Sequence, residues 1–139
     1  LKDEDNKLVW TLNSGVIPNE NYYYINHGFG YTKILNSNDN LRQELEIFVP
    51  NEENLKVMDF RIKNLINEER TIKFVFYIKT VLGEDEYLTN GNLKFEKNAN
   101  CIKIKNAFRE DCFKNKIMFV ASNLEINSFT SVTTEPTAA

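Results

Sequence analysis

Apolar and polar side chains alternate with period two over most of the chain, the spacing that turns one face of a β-strand inward and the other outward. Over residues 41–49, Leu45, Ile47 and Val49 share one face while Glu44 and Glu46 share the other. After the turn-forming Pro50-Asn51-Glu52-Glu53-Asn54, Met58, Phe60 and Ile62 face inward and Asp59, Arg61 and Lys63 face outward. The turn Asn67-Glu68-Glu69 leads into residues 71–82, where Ile72, Phe74, Phe76 and Ile78 alternate with Lys73, Val75, Tyr77 and Lys79. Three such strands with short polar connections predict an antiparallel meander with one solvated face.

The pattern extends to both sides. Residues 31–35 precede the turn Asn36-Ser37-Asn38-Asp39-Asn40 and pair naturally with 41–49. Residues 93–96, the turn Lys97-Asn98-Ala99-Asn100 and residues 101–105 read as a further hairpin, with Ile102 and Ile104 opposite in face to Lys103 and Lys105. The run 117–121 (Ile-Met-Phe-Val-Ala) is apolar on both faces and is expected to be a central strand covered from both sides. Residues 7–12, 22–25 and 124–129 complete a set of about nine or ten short strands. No stretch of helical length keeps a 3.6-residue period. The fold class predicted is all-β, an antiparallel β-sandwich or two packed sheets.

The 139 residues carry 20 Asp+Glu against 17 Lys+Arg, a formal net charge of −3, with 42% hydrophobic residues. That balance fits a soluble globular chain and lacks the basic excess of a nucleic-acid module. No apolar run approaches the roughly 20 residues that span a bilayer. One domain over residues 1–139 is the default at this length, with residues 131–139 irregular. The chain opens without Met or a signal-type apolar segment and closes on small residues, which reads as a segment of a larger multidomain protein. Cys101 and Cys112 lack a CxxC spacing and are expected as free thiols in a reducing compartment, hence a cytoplasmic location.

Candidate chemistry is sparse. The one histidine, His27, lies in Asn26-His27-Gly28-Phe29-Gly30-Tyr31. A Gly-x-Gly without a preceding strand, a third glycine and a helix start is not a dinucleotide fingerprint. It reads either as a backbone bend with His27 making one hydrogen bond or as a binding loop. One His and two separated Cys do not form a zinc site, so no metal is expected. Glu44 and Glu46 stand about 6.5–7 Å apart along a strand, a spacing of interest for glycoside chemistry. The alternation puts both on the solvent side, where a working acid lacks the burial that shifts its pKa. Glu84-Asp85-Glu86 after Gly83 lacks a calcium-loop pattern and reads as a hydrated acidic turn. No catalytic residue is assigned. Trp10 and the run Tyr22-Tyr23-Tyr24 carry the flat rings that stack on sugars, although side-chain alternation turns part of the run inward.

The block His27-Gly-Phe-Gly-Tyr-Thr32, followed by Gln43-Glu-Leu-Glu-Ile-Phe-Val-Pro50, resembles the N-terminal β-sandwich of glycoside phosphorylases related to cellobiose and chitobiose phosphorylase and to cyclic β-1,2-glucan synthase. The likeness continues through Val57–Asn64, Val81-Leu-Gly83, Ile104-Lys-Asn-Ala-Phe108, Phe119-Val-Ala-Ser122 and Ser128-Phe-Thr130. Trp10 matches an early Trp of such proteins. The resemblance implies a supersandwich-like domain without catalytic residues of its own. The parent enzyme would cleave β-glucosides with inorganic phosphate as co-substrate, releasing sugar 1-phosphate, through an Asp on a later helical barrel. It further implies that the domain packs on that barrel, supports a homodimer, and lends a loop to the site of a β-glucan or oligosaccharide. The residues placed near carbohydrate are His27, donating to a hydroxyl, Phe29, stacking, and Tyr31 and Trp10. No cofactor is implied. The rival reading is a free-standing carbohydrate-binding module whose platform uses Trp10, Tyr22 and Tyr24.

Overall fold

A computed structural model describes residues 1–13, 17, 20–83, 89, 91–107 and 115–131. Among these, nine strands form three antiparallel sheets. The chain divides into two compact units, Leu1–Phe76 and Tyr77–Ala139.

In the first unit, β1 (Lys2–Asp3) pairs with β6 (Ile72–Lys73). Strands β2 (Tyr23–Gly28), β3 (Tyr31–Asn38), β4 (Leu41–Phe48) and β5 (Val57–Asn64) form a four-stranded meander in chain order. The predicted alternation is realised along β4. Leu41, Gln43 and Leu45 are buried while Arg42, Glu44 and Glu46 face outward in a less buried row. The register places Ile34 and Phe60 beside Leu45 on the inner face. On the outer face it sets Lys33 opposite Glu46, and Arg61 opposite Glu44. Lys33 Nζ accordingly reaches Glu44 at 3.0 Å and Glu46 at 3.6 Å. The Lys33 ammonium is held charged above its usual range, first by its hydrogen bond to Glu44. These two glutamates therefore belong to a charge ladder on a solvated face.

Turn chemistry fixes the register. Asp39 (φ 46°) and Asn40 (φ 60°) are both left-handed, as the two-residue turn matched to strand twist requires, and Asn and Asp tolerate that region better than other non-glycine residues. The β2–β3 hairpin turns at Phe29-Gly30, with Gly30 at φ +85° as a type II turn requires at its second central position.

The segment 71–82 departs from the expectation of a third meander strand. Only Ile72–Lys73 enters a ladder, and its partner is β1. The physical reason lies at the exit of β5. Asn64 Nδ2 donates to Glu68 O at 2.6 Å and Asn64 Oδ1 accepts from Ile66 N at 3.3 Å, turning the chain off the sheet. Thr71 N then donates to Asp5 Oδ2 at 2.8 Å, and Glu4 N to Thr71 O at 3.0 Å, which captures the segment beside the N-terminus. Residues 7–12 supply only the isolated bridge Val9 to Lys2.

In the second unit, β7 (Leu93–Asn98), β8 (Cys101–Asn106) and β9 (Ile117–Ala121) form a three-stranded sheet in that order. Ile104 is buried between Phe95 and Met118, its register neighbours, and Lys105 Nζ meets Glu96 at 3.0 Å on the other face. Asn106 Nδ2 donates to the carbonyl of Leu82 at 2.8 Å within the buried part of this unit. The expectation of a central strand at 117–121 is corrected. Among the described residues β9 pairs with β8 alone, at the edge of its sheet, and its Ile117 and Phe119 are exposed. Residues 124–129 form no strand. Ile126 N instead donates to Ala99 O at 3.0 Å, and Phe129 packs on Phe95 with ring centroids 6.3 Å apart. Cys101 is a free thiol at the head of β8. Cys112, the acidic turn at 84–86 and the tail from 132 lie outside the described residues.

Removing buried volume on the inner face of β4 should be costly, and removing it past the strand end should not. Leu45→Ala is expected to destabilise by about 2–5 kcal/mol, and Val49→Ala, exposed, by no more than about 0.5 kcal/mol. Urea unfolding of the two variants checks this contrast.

Candidate functional site

The β2–β3 hairpin carries three of the four residues placed near carbohydrate. His27 and Thr32 are a cross-strand pair, and His27 Nδ1 lies 3.0 Å from Thr32 Oγ1. The imidazole is exposed and makes no other hydrogen bond among the described residues. Phe29, at the first central position of the turn, is fully exposed. Tyr31 pairs with Gly28 across the hairpin, and its ring lies against that glycine. A Cβ added at Gly28 would stand 2.0 Å from Tyr31 Cε1. Glycine at 28 is thus what lets the phenol lie over the strand. The two glycines play different parts, Gly28 leaving room for a ring and Gly30 supplying a turn conformation. His27 and Tyr31 belong to opposite faces of the hairpin, and Phe29 stands at its tip.

Trp10 has a different place. Its side chain is 2% exposed, and its Nε1–H donates to Gln43 Oε1 at 2.8 Å. Gln43 is itself buried at an inward position of β4. From there a polar chain runs outward. Gln43 Nε2 approaches Asn36 Oδ1 at 3.5 Å, and Asn36 Nδ2 donates to Tyr22 O at 3.1 Å. Tyr23 OH donates to Thr11 O at 3.0 Å. The indole therefore anchors the segment that leads into β2, and its faces are not open to a sugar. Leaving that indole N–H unpaired in the interior would cost about 1–3 kcal/mol. Of the tyrosine run, Tyr22 and Tyr24 are exposed while Tyr23 is half-buried.

A second cluster holds the N-terminal segment down. The Arg70 side chain is 6% exposed and the Asp3 side chain 0%. Arg70 Nε donates to Asp3 Oδ2 at 2.9 Å, and Nη2 donates to the same oxygen and to Asp39 Oδ2, the latter at 2.6 Å. Arg70 Nη1 donates to the Asp39 carbonyl in the β3–β4 turn. Asp3 Oδ1 accepts from Asp5 N at 2.7 Å and Asn6 N at 3.0 Å. The Asn6 amide first, and then Arg70, hold the Asp3 carboxyl below its ordinary pKa. Among the described residues no buried side-chain nitrogen or oxygen lacks a partner. Nor do three His, Cys, Asp or Glu side chains gather there as a metal set.

Chemically, the arrangement offers an exposed aromatic tip with an imidazole and a phenol behind it, on a hairpin tied to a buried network. The described carboxylates of both units' sheets are engaged by cations: Glu44 and Glu46 by Lys33, Asp59 by Arg61, Glu96 by Lys105. The network residues Asp3, Gln43, Asn36 and Arg70 escaped the sequence reading. The available signal was Gln43, whose parity with Leu41 and Leu45 makes it a polar side chain at an inward position.

A family model described as "Glycosyl hydrolase 94, supersandwich domain" matches residues 1–135. The chain belongs to that family. No curated protein and no solved structure matches it. The three antiparallel sheets are consistent with a supersandwich domain. Among the described residues no helix is long and apolar enough to cross a membrane.

The lowered Asp3 pKa gives the supersandwich domain a pH signature. A group whose folded pKa lies below its unfolded value stabilises the fold above the ordinary carboxylate range, about pH 4, and that contribution is lost as pH falls through the folded value. Acid unfolding followed by Trp10 fluorescence should show this loss in the native chain. Asp3→Asn should be less stable at neutral pH and should lack that part of the acid fall. Parallel curves for the two proteins would contradict the assignment.

Proposed function

We propose that this chain is a non-catalytic accessory domain of a carbohydrate-active glycoside phosphorylase. In this reading the parent enzyme uses inorganic phosphate to convert β-glucosides to sugar 1-phosphate, and runs in reverse as a glycosyltransferase. The domain packs on the parent's catalytic helical barrel and lends the β2–β3 hairpin to one side of the sugar site. Phe29 stacks on a pyranose face and His27 donates to a hydroxyl on its own face of the hairpin, while Tyr31, on the opposite face, borders the oligosaccharide from the other side of the tip. The observation that carries the reading is the hairpin tip. An apolar ring with full exposure on a defined two-residue turn is poorly explained by packing within the unit, and flat rings suit sugar faces. The family match over residues 1–135 supports the choice of substrate class.

The exposure of Tyr22 and Tyr24 favours a second reading, a free-standing carbohydrate-binding module. With Trp10 buried, its platform reduces to those two rings.

Titration of the chain with β-gluco-oligosaccharides, followed by saturation-transfer NMR, separates the two. The accessory reading expects weak contacts that disappear in Phe29→Ala and persist in Tyr22→Ala/Tyr24→Ala. The module reading expects the reverse. Incubation with oligosaccharide and inorganic phosphate should yield no sugar 1-phosphate from this chain alone. Its release would contradict the accessory reading.

A further inference from the structure

The three-stranded sheet of the second unit has one face on which cations outnumber carboxylates. Its register lays out three rows across β7, β8 and β9: Lys94, Lys105 and Ile117; Glu96, Lys103 and Phe119; Asn98, Cys101 and Ala121. Lys94 and Lys105 stand directly opposite, an arrangement of like charges that weakens a ladder. Lys105 is drawn diagonally to Glu96, with Nζ 3.0 Å from Oε1. Lys94 and Lys103 are exposed and make no ion pair among the described residues. Three ammonium groups thus share one carboxylate. The four-stranded sheet shows the contrasting arrangement, with Lys33 set opposite Glu46 and Arg61 opposite Glu44. The excess on the second sheet is local, since the whole chain has a formal net charge of −3. Beside the lysines, Ile117 and Phe119 are 53% and 51% exposed, while Ile104 on the other face is buried.

We propose that this face is a docking surface for an extended acidic segment of another protein, one that carries carboxylates at alternate positions and an apolar side chain beside them. Lys103 and Lys105 lie two residues apart on β8, about 6.5–7 Å along the strand. Side chains on one face of an extended peptide repeat at that same distance, so acidic residues at positions i and i+2 meet both ammonium groups. Lys94, across the ladder from Lys105, adds a third donor within reach of the second carboxylate. The apolar side chain covers Phe119, which borders Lys103 in the register. Carboxylates bound there relieve the repulsion between Lys94 and Lys105, which the folded chain alone leaves in place. The same features weigh against other polyanions. Nucleic acid is held by a broad basic excess, and an anionic bilayer by a cluster of about four to eight cations. Here three lysines and one glutamate sit on an acidic chain. One ring and one isoleucine suit a single apolar side chain better than a lipid surface. This surface is separate from the β2–β3 hairpin, and the proposal does not rest on sugar recognition.

Fluorescence anisotropy with a short labelled peptide of alternating Glu and Thr around one central Leu tests the proposal, beside the same peptide with Lys in place of Glu. The acidic peptide should bind the native chain, more weakly as salt rises, and the basic one should not. K94E/K103E removes two attractions, adds two repulsions and should raise the dissociation constant roughly tenfold or more. Phe119→Ala should weaken binding several-fold. Glu96→Gln removes the competing carboxylate and should tighten binding about two- to fivefold, a gain that damage to the fold does not produce. In NMR titrations of the native chain, the amide shifts should centre on Lys94, Lys103, Lys105 and Phe119. Absence of binding, equal affinity for the basic peptide, indifference to K94E/K103E and to Glu96→Gln, or shifts centred elsewhere would each overturn the proposal. Tighter binding of single-stranded DNA or of phosphatidylserine vesicles than of the peptide would overturn the choice of partner, as would shifts at these amides on concentrating the chain alone.

Discussion

Arg70 joins three parts of the first unit that are distant in sequence, because its guanidinium is the one planar, multiply donating cation that can satisfy Asp3 and Asp39 together. With both Arg70 and Asp3 withdrawn from water, neither charge is tolerable alone, so the N-terminal segment, the β3–β4 turn and the start of β6 are held as a set. The small β1–β6 sheet follows from that constraint. Two-residue strands have little ladder of their own, and the bonds from Glu4 N to Thr71 O and from Thr71 N to the Asp5 carboxylate join the same two segments beside Arg70. Trp10 then enters the interior beside β4, and the line Trp10, Gln43, Asn36 runs on to the entry of β2. The base of the β2–β3 hairpin thus stands at the end of a polar path within the unit, and the ladder from Tyr23–Asn36 to Gly28–Tyr31 carries its tip.

Much of the sheet architecture was legible because alternation is a local property. Leu41 to Phe48 could be assigned faces from parity alone, and Glu44 and Glu46 were readable as solvated for the same reason. The hairpins at 39–40 and 99–100 announced themselves through Asn and Asp in short turns. Residues 71–82 show where parity fails. They alternate as cleanly as any strand, yet the Asn64 turn and the Arg70 contacts, made across 67 and 31 residues of sequence, decide where the chain goes. An apolar run such as 117–121 marks a strand without saying whether the edge or the centre of a sheet will receive it.

The site was legible in its glycines and obscured in its tryptophan. His27-Gly-Phe-Gly-Tyr31 marks a hairpin turn, and the structure gives each glycine a reason. Trp10 looks equally suited to stacking on a ligand or to packing inward. Only the placement of Gln43, a polar residue 33 positions away, shows that the indole N–H is met inside the protein. The buried polar groups serve position, while the rings of Tyr22, Tyr24 and Phe29 stay exposed.

The most direct measurement is a double-mutant cycle on Asp3→Asn and Arg70→Gln, read by urea unfolding at neutral pH. Strong non-additivity is expected, with the double variant no less stable than the weaker of the two singles, since Arg70→Gln leaves the buried Asp3 carboxylate without its cation and Asp3→Asn leaves Arg70 with Asp39 as its remaining carboxylate. Additive losses, as between independent solvated side chains, would contradict it.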